Sequence, residues 1–150
     1  MPYPSSHKLR SGRYSEQGRI YFITICCYRR RTVFASFSTG RLVIQALQSV
    51  QDRAETLSFV VMPDHIHWLI QLQEGAKLSP SVQKMKSIAS RLIHQNTAYK
   101  AQVWDSSFHD HAIRKYQDVK GFARYIILNP LRAGLVNRIG DYPLWDAIWL

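Results

Sequence analysis

Residues 57–72, LSFVVMPDHIHWLIQL, are the stretch of sequence that decides the fold. Residues 57–62 are a short apolar run of the kind that forms a buried strand, and Pro63-Asp64 is a typical turn sequence. In residues 65–72 apolar side chains recur at every second position, so that one face of a strand fits against a core. The sequence therefore predicts a β-hairpin with its turn at Pro63-Asp64.

The segments on either side of this hairpin extend it into a mixed fold. The predicted elements are a strand over 19–28, a helix capped by Ser38 or Thr39 that runs to about residue 55, a helix after Ser79 that runs to about residue 99, a strand or hairpin over 103–115, and a last helix that Asp118 caps and Asn129-Pro130 ends. The order β-α-β-β-α-β-α predicts an α+β fold of the ferredoxin-like, split βαβ type. Its antiparallel sheet would carry helices on one face and leave the other face open for a site, with a further C-terminal helix.

The composition limits the partners of the chain. Its 150 residues and 46% hydrophobic content suit a single domain over 1–150, with a basic arm at 1–18 and a C-terminal tail at 131–150. Twenty Lys and Arg against 10 Asp and Glu give a net charge of +10, which favours an anionic partner. Nucleic acid is the commonest such partner, and an acidic membrane surface is the alternative. Because we find no apolar run of transmembrane length and no secretory signal, we expect a cytoplasmic protein that does not bind membranes.

The sequence HIH at residues 65–67 is a candidate metal site. Residues two apart on a strand share a face, so His65 and His67 point the same way, about 7 Å apart along the backbone. Two imidazoles placed in this way can converge on one divalent ion. The ordinary alternative is a pair of surface histidines on a half-exposed strand. A catalytic ion also needs a third protein ligand and an open position for substrate.

Tyr125 and Asn129 supply the parts that the histidine pair lacks. They are spaced i, i+4 and therefore share one face of the last predicted helix. The tyrosine can act as a nucleophile while the amide oxygen of the asparagine reaches the metal. Two histidines and an oxygen ligand suit Mg²⁺ or Mn²⁺ in phosphate chemistry, although imidazole would equally accept Zn²⁺ or Ni²⁺. Taken singly, Tyr125 is a tyrosine at the edge of the core and Asn129 ends a helix.

Several neighbouring residues compete for roles or support them. Neither Tyr99 nor Tyr116 has an oxygen ligand four residues later, so Tyr125 is preferred as nucleophile. His109 and His111 share a strand face and are interpreted as polar residues that contact nucleic acid or, alternatively, as ordinary surface residues. Asp64 shapes the turn before the metal strand, where it can also hydrogen-bond a ligand histidine.

Two other functional classes compete with tyrosine attack on a nucleic-acid phosphate. A ferredoxin-like sheet rich in aromatic residues can bind single-stranded nucleic acid by stacking, without catalysis. That reading gives no reason for two histidines on one face together with a tyrosine–asparagine pair. A two-histidine phosphodiesterase would need a further His or a Ser/Thr pattern after HIH, and the following residues WLIQ supply none.

The motifs resemble a known family. The matching segments are HKLRSGRYS (7–15), IYFITICCYRRRTVF (20–34), VVMPDHIHWLI (60–70), VWDSSFHDHAIRK (103–115) and ARYIILNPLRAGLV (123–136). The chain resembles the single-tyrosine HUH transposases of IS200-like elements, and more closely the REP-associated tyrosine transposases (RAYTs). IS200-like enzymes usually have glutamine four residues after the tyrosine, so Asn129 is similar to the RAYT version.

The resemblance implies a bacterial enzyme that uses Mg²⁺ or Mn²⁺ and cleaves single-stranded DNA near a hairpin, keeping the 5′-phosphate on tyrosine and releasing a 3′-OH. RAYTs act on REP palindromes that follow a short guide sequence. IS200-like enzymes work as dimers and RAYTs can act as monomers, so both assembly states remain open. The resemblance and the charge together assign the DNA contacts to Arg10, Arg13, Lys8, Arg19 and Arg124.

Overall fold

The computed structural model describes residues 19–115 and 118–148. Its elements in chain order are β1 (Ile20–Cys26), α1 (Phe37–Ser49), β2 (Ala54–Met62), β3 (His65–Leu72), α2 (Leu78–Asn96), β4 (His109–Ala112), α3 (Val119–Ile127), α4 (Asn129–Arg132) and β5 (Trp145–Ala147), with short 3-10 helices at Tyr28–Arg30 and Ile139–Asp141. The strands form one antiparallel sheet in the order β4-β1-β3-β2-β5. The predicted α+β fold with an antiparallel sheet is confirmed.

The β2–β3 hairpin lies at the centre of the sheet. Met62 pairs with His65 next to the turn, and Ala54 pairs with Leu72 at the far end of the hairpin. Pro63 and Asp64 form the two-residue turn. The register shifts between Thr56 and Ser58, which marks a β-bulge. Because β1 pairs with the other edge of β3, this strand is hydrogen-bonded on both sides.

Helices α1 and α2 cover one face of the sheet. Ile66, Trp68 and Ile70 point from β3 into this core and are fully buried. The indole N–H of Trp68 donates to Thr56 Oγ1 at 2.8 Å, so that its polar atom is satisfied. This face matches the apolar alternation that the sequence predicts for residues 66–72.

Helix α3 packs on the opposite face, which the sequence analysis expected to be left open. Its buried side chains, Val119, Ala123 and Ile126, contact a second apolar cluster that includes Leu57 and Leu69. An amphipathic helix has to bury its apolar stripe, and this face of the sheet provides the matching surface. The expectation of an open face was therefore wrong over the part that α3 covers.

Several helix boundaries differ from the predicted ones. Helix α1 follows the N-cap Ser36, whose hydroxyl accepts from the Thr39 N–H, and it ends at Ser49 rather than near residue 55. Ala54 and the residues after it pair with β3, and this sheet pairing ends the helix before its predicted limit. Asp118 does precede α3, but its carboxylate forms no capping hydrogen bond.

The described part of the predicted C-terminal tail 131–150, residues 131–148, packs against the rest of the fold. Strand β5 pairs with β2, and the Tyr142 hydroxyl donates to the Val61 carbonyl at 2.6 Å. Leu144 is buried in the core beside Gly40 of α1, where an added Cβ would lie 2.5 Å from Leu144 Cδ1. Glycine at position 40 is therefore what allows the C-terminal segment to pack this closely.

We expect Leu144→Ala to lower the free energy of unfolding by about 2–5 kcal/mol, because it leaves a cavity in the core. Leu135→Ala is the matched control, since Leu135 lies in the same segment and is 46% exposed. Urea denaturation followed by circular dichroism measures both values. Equal, small effects of the two substitutions would show that the C-terminal segment does not contribute to stability.

Candidate active site

The pairing of β1 with β3 positions the two histidines. Thr24 lies directly opposite His67 and Cys26 opposite His65, so these four side chains share the face on which α3 packs. The ring centroids of His65 and His67 are 4.8 Å apart, and His67 is only 8% exposed. The two histidines therefore lie on the same face of the strand, as predicted.

Each histidine is oriented through its Nδ1 atom. His67 Nδ1 lies 2.9 Å from Thr24 Oγ1, and His65 Nδ1 lies 2.8 Å from Asp64 Oδ1. A hydrogen bond at Nδ1 fixes the ring and leaves Nε2 as the atom that can bind a metal. The donor set therefore fits a divalent ion held by two Nε2 atoms.

Asp64 is itself held by Arg30. The guanidinium contacts Asp64 Oδ2 through Nε at 3.1 Å and through Nη2 at 3.0 Å. Burial raises the pKa of Asp64, but its hydrogen bonds with His65 and Arg30 outweigh this effect and leave the pKa below its usual value. Asp64 is therefore an anion at neutral pH that connects Arg30 to His65.

The arginine side of this connection depends on an uncommon backbone conformation. Arg29 and Arg30 have φ values of 53° and 54°, in the left-handed region that residues other than glycine rarely adopt. The 3-10 turn that contains them is attached to the hairpin by the Cys27 N–H, which donates to the Asp64 carbonyl at 2.9 Å. Such strain persists only where surrounding contacts enforce it, and it clusters at functional sites.

His67 is neutral at physiological pH. Burial, and to a lesser extent the electrostatic effects of His65, Arg132 and Arg30, lower its pKa to about 3. A neutral imidazole is the form that binds a metal. His67 is accordingly suited to ligation and unsuited to accepting a proton near pH 7.

Tyr125 lies next to the histidine pair. Its ring centroid is 6.0 Å from that of His67 and 6.0 Å from that of Phe22 on β1. The side chain is 49% exposed, so solvent or a ligand can reach it. One chain thus brings together the predicted nucleophile and both predicted histidine ligands.

Asn129 does not lie on the same uninterrupted helix as Tyr125, contrary to the prediction. Helix α3 ends at Ile127, and Asn129 begins α4. Pro130 has no N–H to donate to the Ile126 carbonyl, so the helical hydrogen bonding is interrupted there. Within the described part of the chain, no hydrogen bond joins the Asn129 side chain to His65 or His67. Its role as a ligand stays a prediction.

Arg132 is a site residue that the sequence analysis missed. Its guanidinium carbon lies 4.0 Å from the centroid of the Tyr125 ring, and Nη2 donates to the Tyr125 carbonyl at 2.6 Å. This contact is a cation–π interaction at the predicted nucleophile. The available signal was the spacing i, i+7 from Tyr125, which places two residues on one helix face. Because the sequence predicts that the helix ends at Asn129-Pro130, this spacing was not applied to Arg132.

The predicted DNA-contacting residues have different positions. Lys8, Arg10 and Arg13 lie outside the described residues. Arg19 is half-buried at the end of β1 away from His65, where its guanidinium donates to the carbonyls of Leu72 and Gln73. Arg124 is exposed, one residue before Tyr125.

His109 and His111 lie on the same sheet face as the metal candidates. His109 is opposite Thr24, and His111 is opposite Phe22. The His111 ring lies 5.4 Å from the Phe122 ring. Across residues 19–115 and 118–148, no three His, Cys, Asp or Glu side chains gather into a complete metal site.

Comparison with known proteins identifies the family. The sequence model for the family described as "Transposase IS200 like" matches residues 15–126, a segment that contains both histidines and Tyr125. The chain belongs to the IS200-like transposase family. The match ends before Asn129 and Arg132, so it carries no information on either residue.

Relatives of this IS200-like chain include REP-associated proteins. A REP-associated tyrosine transposase from Escherichia coli K12 is 28% identical over 132 residues, which cover 87% of this chain and 78% of the relative. A solved structure of a REP-associated tyrosine transposase bound to a REP hairpin matches with a TM-score of 0.71 at 26% identity, covering 86% of this chain and 76% of that one. The resemblance drawn from the sequence motifs is confirmed. None of the helices in the described segments is long and apolar enough to cross a membrane.

We expect Asp64→Ala to change the tautomer of His65, because it removes the acceptor that keeps the proton on Nδ1. In metal-free protein, the ring ¹⁵N shifts of His65 should move away from the Nδ1–H pattern of the wild type. Asp146→Ala removes an exposed carboxylate on β5 and serves as the control. An unchanged His65 spectrum in Asp64→Ala would contradict the orienting role of Asp64.

Proposed function

We propose that this IS200-like transposase cleaves and rejoins single-stranded DNA at REP-type hairpins, with Tyr125 as the nucleophile. The observation that carries the proposal is the approach of the Tyr125 ring to within 6.0 Å of the His67 ring of the same chain. A phosphate between the tyrosine and the two free Nε2 atoms would be within reach of both. Family membership supports DNA strand chemistry, and the geometry supports these residues as its agents.

The proposed reaction is a transesterification at phosphorus. The Tyr125 hydroxyl oxygen attacks the scissile phosphate, a phosphotyrosine bond forms, and the bond between phosphorus and the 3′-oxygen breaks. The phenol loses its proton and the leaving 3′-oxygen gains one, so that a 3′-OH and a 5′-phosphotyrosine result. The number of phosphodiester bonds is conserved, and rejoining by attack of a 3′-OH needs no nucleotide cofactor.

His65 and His67 would hold a divalent metal, Mg²⁺ or Mn²⁺, through their Nε2 atoms, with the Asn129 amide oxygen as the proposed third ligand. When bound, such an ion polarises the scissile phosphate and stabilises its developing charge. Thr24 and Asp64 keep both rings in the orientation that ligation needs. The low pKa of His67, about 3, keeps that ring unprotonated and available at neutral pH.

Arg132 contributes a fixed positive charge at the nucleophile. Its guanidinium lies over the Tyr125 ring, on a side chain that is exposed to solvent. A guanidinium matches phosphate geometry better than any other side chain. We infer that Arg132 contacts the scissile phosphate when DNA binds. The proximity of Tyr125 to His67 within the same chain supports cleavage by a monomer.

The proposed partner is a single-stranded DNA hairpin of the REP type. A relative with this fold was solved bound to such a hairpin. The net charge of +10 supplies the general attraction for phosphates. The basic arm at 1–18 remains the proposed source of contacts to the bases next to the hairpin.

We expect Tyr125→Phe to reduce the covalent protein–DNA adduct by at least about 10³-fold, because the nucleophilic oxygen is removed. Incubation with a hairpin oligonucleotide and Mn²⁺, followed by a denaturing gel, measures the adduct. Tyr99→Phe is the control, and gel-shift assays should show that Tyr125→Phe still binds the hairpin. An adduct that persists in Tyr125→Phe would disprove the assignment. A wild-type protein that binds hairpins but forms no adduct would favour a non-catalytic DNA-binding module.

We expect Asp64→Asn to weaken Mn²⁺ binding by about 10–100-fold, because the partner of a ligating histidine orients that ligand. His67→Ala should abolish both Mn²⁺ binding and cleavage. His94→Ala is the matched control, since His94 lies half-buried on α2, on the other side of the sheet. Isothermal titration with Mn²⁺ provides a measurement that does not depend on activity. Cleavage by wild type that survives EDTA would rule out the metal role.

A further inference from the structure

We propose that the groove between α3 and the β1–β4 edge of the sheet binds an unpaired nucleobase next to the scissile phosphate. This inference rests on the proposed function, because Tyr125 forms one end of the groove. It assigns a role to Phe22, Asp118, Gly121 and Phe122, which the cleavage chemistry does not use.

The groove begins at the nucleophile. A cavity of about 450 Å³ is lined by Phe22, Asp118, Gly121, Phe122 and Tyr125. Asp118, directly before α3, and the α3 residues Gly121, Phe122 and Tyr125 have the spacing i, i+3, i+4 and i+7, so they form one stripe along the helix. At a rise of 1.5 Å per residue the stripe is about 10 Å long. A base bound here would lie within one or two helical turns of Tyr125.

The walls of this cavity are mainly aromatic. The rings of Phe22 and Phe122 lie 5.4 Å apart, and Tyr125 is 6.0 Å from Phe22. Phe22 and Phe122 are only half-buried although both border an apolar cluster, so part of each ring surface faces the groove. Aromatic side chains on which bases stack are the common device of proteins that bind single strands, and they accept any base.

Charges are arranged along the groove in an order that suits a DNA strand. A second cavity of about 280 Å³ shares Asp118 and Phe122 with the first and is also lined by Arg114 and Lys115. One phosphate can thus lie at Tyr125 and the next beside these two cations, with a base between them. This charge complementarity favours a nucleic-acid strand over an apolar peptide as the occupant.

Asp118 indicates that the middle of the groove takes a base rather than a phosphate. Its carboxylate is exposed and forms no capping hydrogen bond with α3. A carboxylate repels phosphate but accepts hydrogen bonds from the N–H groups on the edge of a base. The acidic residue between a nucleophile and a basic pair therefore suits a stacked base with its edge turned toward Asp118.

Gly121 provides a way to close the groove without damage to the fold. A Cβ at this position would meet no atom within 4 Å, and the residue lies within α3. Leucine there is a better helix former than glycine, and its side chain would project into the cavity. Gly140→Leu is the matched control, because a Cβ at Gly140 also meets nothing within 4 Å.

The test uses REP-type hairpin oligonucleotides with unpaired flanks, each carrying 2-aminopurine at one flank position. Binding is measured with the full chain bearing Tyr125→Phe, which prevents cleavage. Stacking on an aromatic ring quenches 2-aminopurine, so we expect one flank position to be quenched on binding. Gly121→Leu or Phe122→Ala should remove this quenching and weaken binding by about 5- to 140-fold, the range that corresponds to 1–3 kcal/mol per stacked base.

The controls separate the groove from other effects. Phe122→Leu keeps apolar volume without the aromatic ring, and thermal melts establish that each variant folds. Phe37→Ala removes an exposed aromatic residue from α1, on the other side of the sheet, and should change nothing. A hairpin without flanks should bind wild type and Gly121→Leu equally.

The outcomes for the groove and for the proposed function are distinct. The base-binding role of the groove would be overturned if quenching survived both Gly121→Leu and Phe122→Ala, or if no flank position were quenched. The wild-type adduct would in that case still support cleavage at Tyr125. Loss of the wild-type adduct with groove-dependent quenching intact would overturn the cleavage chemistry. Failure to bind any of the oligonucleotides would overturn both.

Discussion

The antiparallel register between β1 and β3 is the constraint on which the site depends. It places Thr24 opposite His67 and thereby supplies the 2.9 Å contact that orients the buried ring. A slip of one residue would turn both histidines into the core and Ile66 and Trp68 out of it. The burial of Trp68 on the other face opposes any such slip, so core packing and site geometry enforce the same alignment.

The second histidine depends on a different part of the chain. Arg30 holds Asp64, and Asp64 holds His65, so the orientation of this ring is set by a 3-10 turn that follows β1. This turn and the hairpin turn are attached to each other by backbone hydrogen bonds. The strained conformation of Arg29 and Arg30 is thus stabilised by the same contacts that aim His65 at the site.

The sequence carried enough information to predict the hairpin, the element order and the shared face of the histidines. All three follow from two-residue periodicity and turn chemistry, which are local. The position of Arg132 at the site did not follow. Pro130 predicts the end of a helix, whereas in the structure a short helix, α4, follows and carries Arg132 back to Tyr125. The Arg30–Asp64 contact depends on left-handed backbone angles that no pattern of residue types specified. Strand β5 has only three residues, too few for an alternation to be visible.

Alternate side chains of β3 serve two separate purposes. Ile66, Trp68 and Ile70 stabilise the fold beneath α1 and α2, while His65 and His67 face α3 and Tyr125. Substitutions on one face leave the packing of the other nearly untouched. In evolutionary terms, a lineage of this fold can lose its histidines or its tyrosine by single mutations and still inherit an intact scaffold. Descendants that keep the basic surface without strand cleavage would then be under selection as DNA-binding proteins alone.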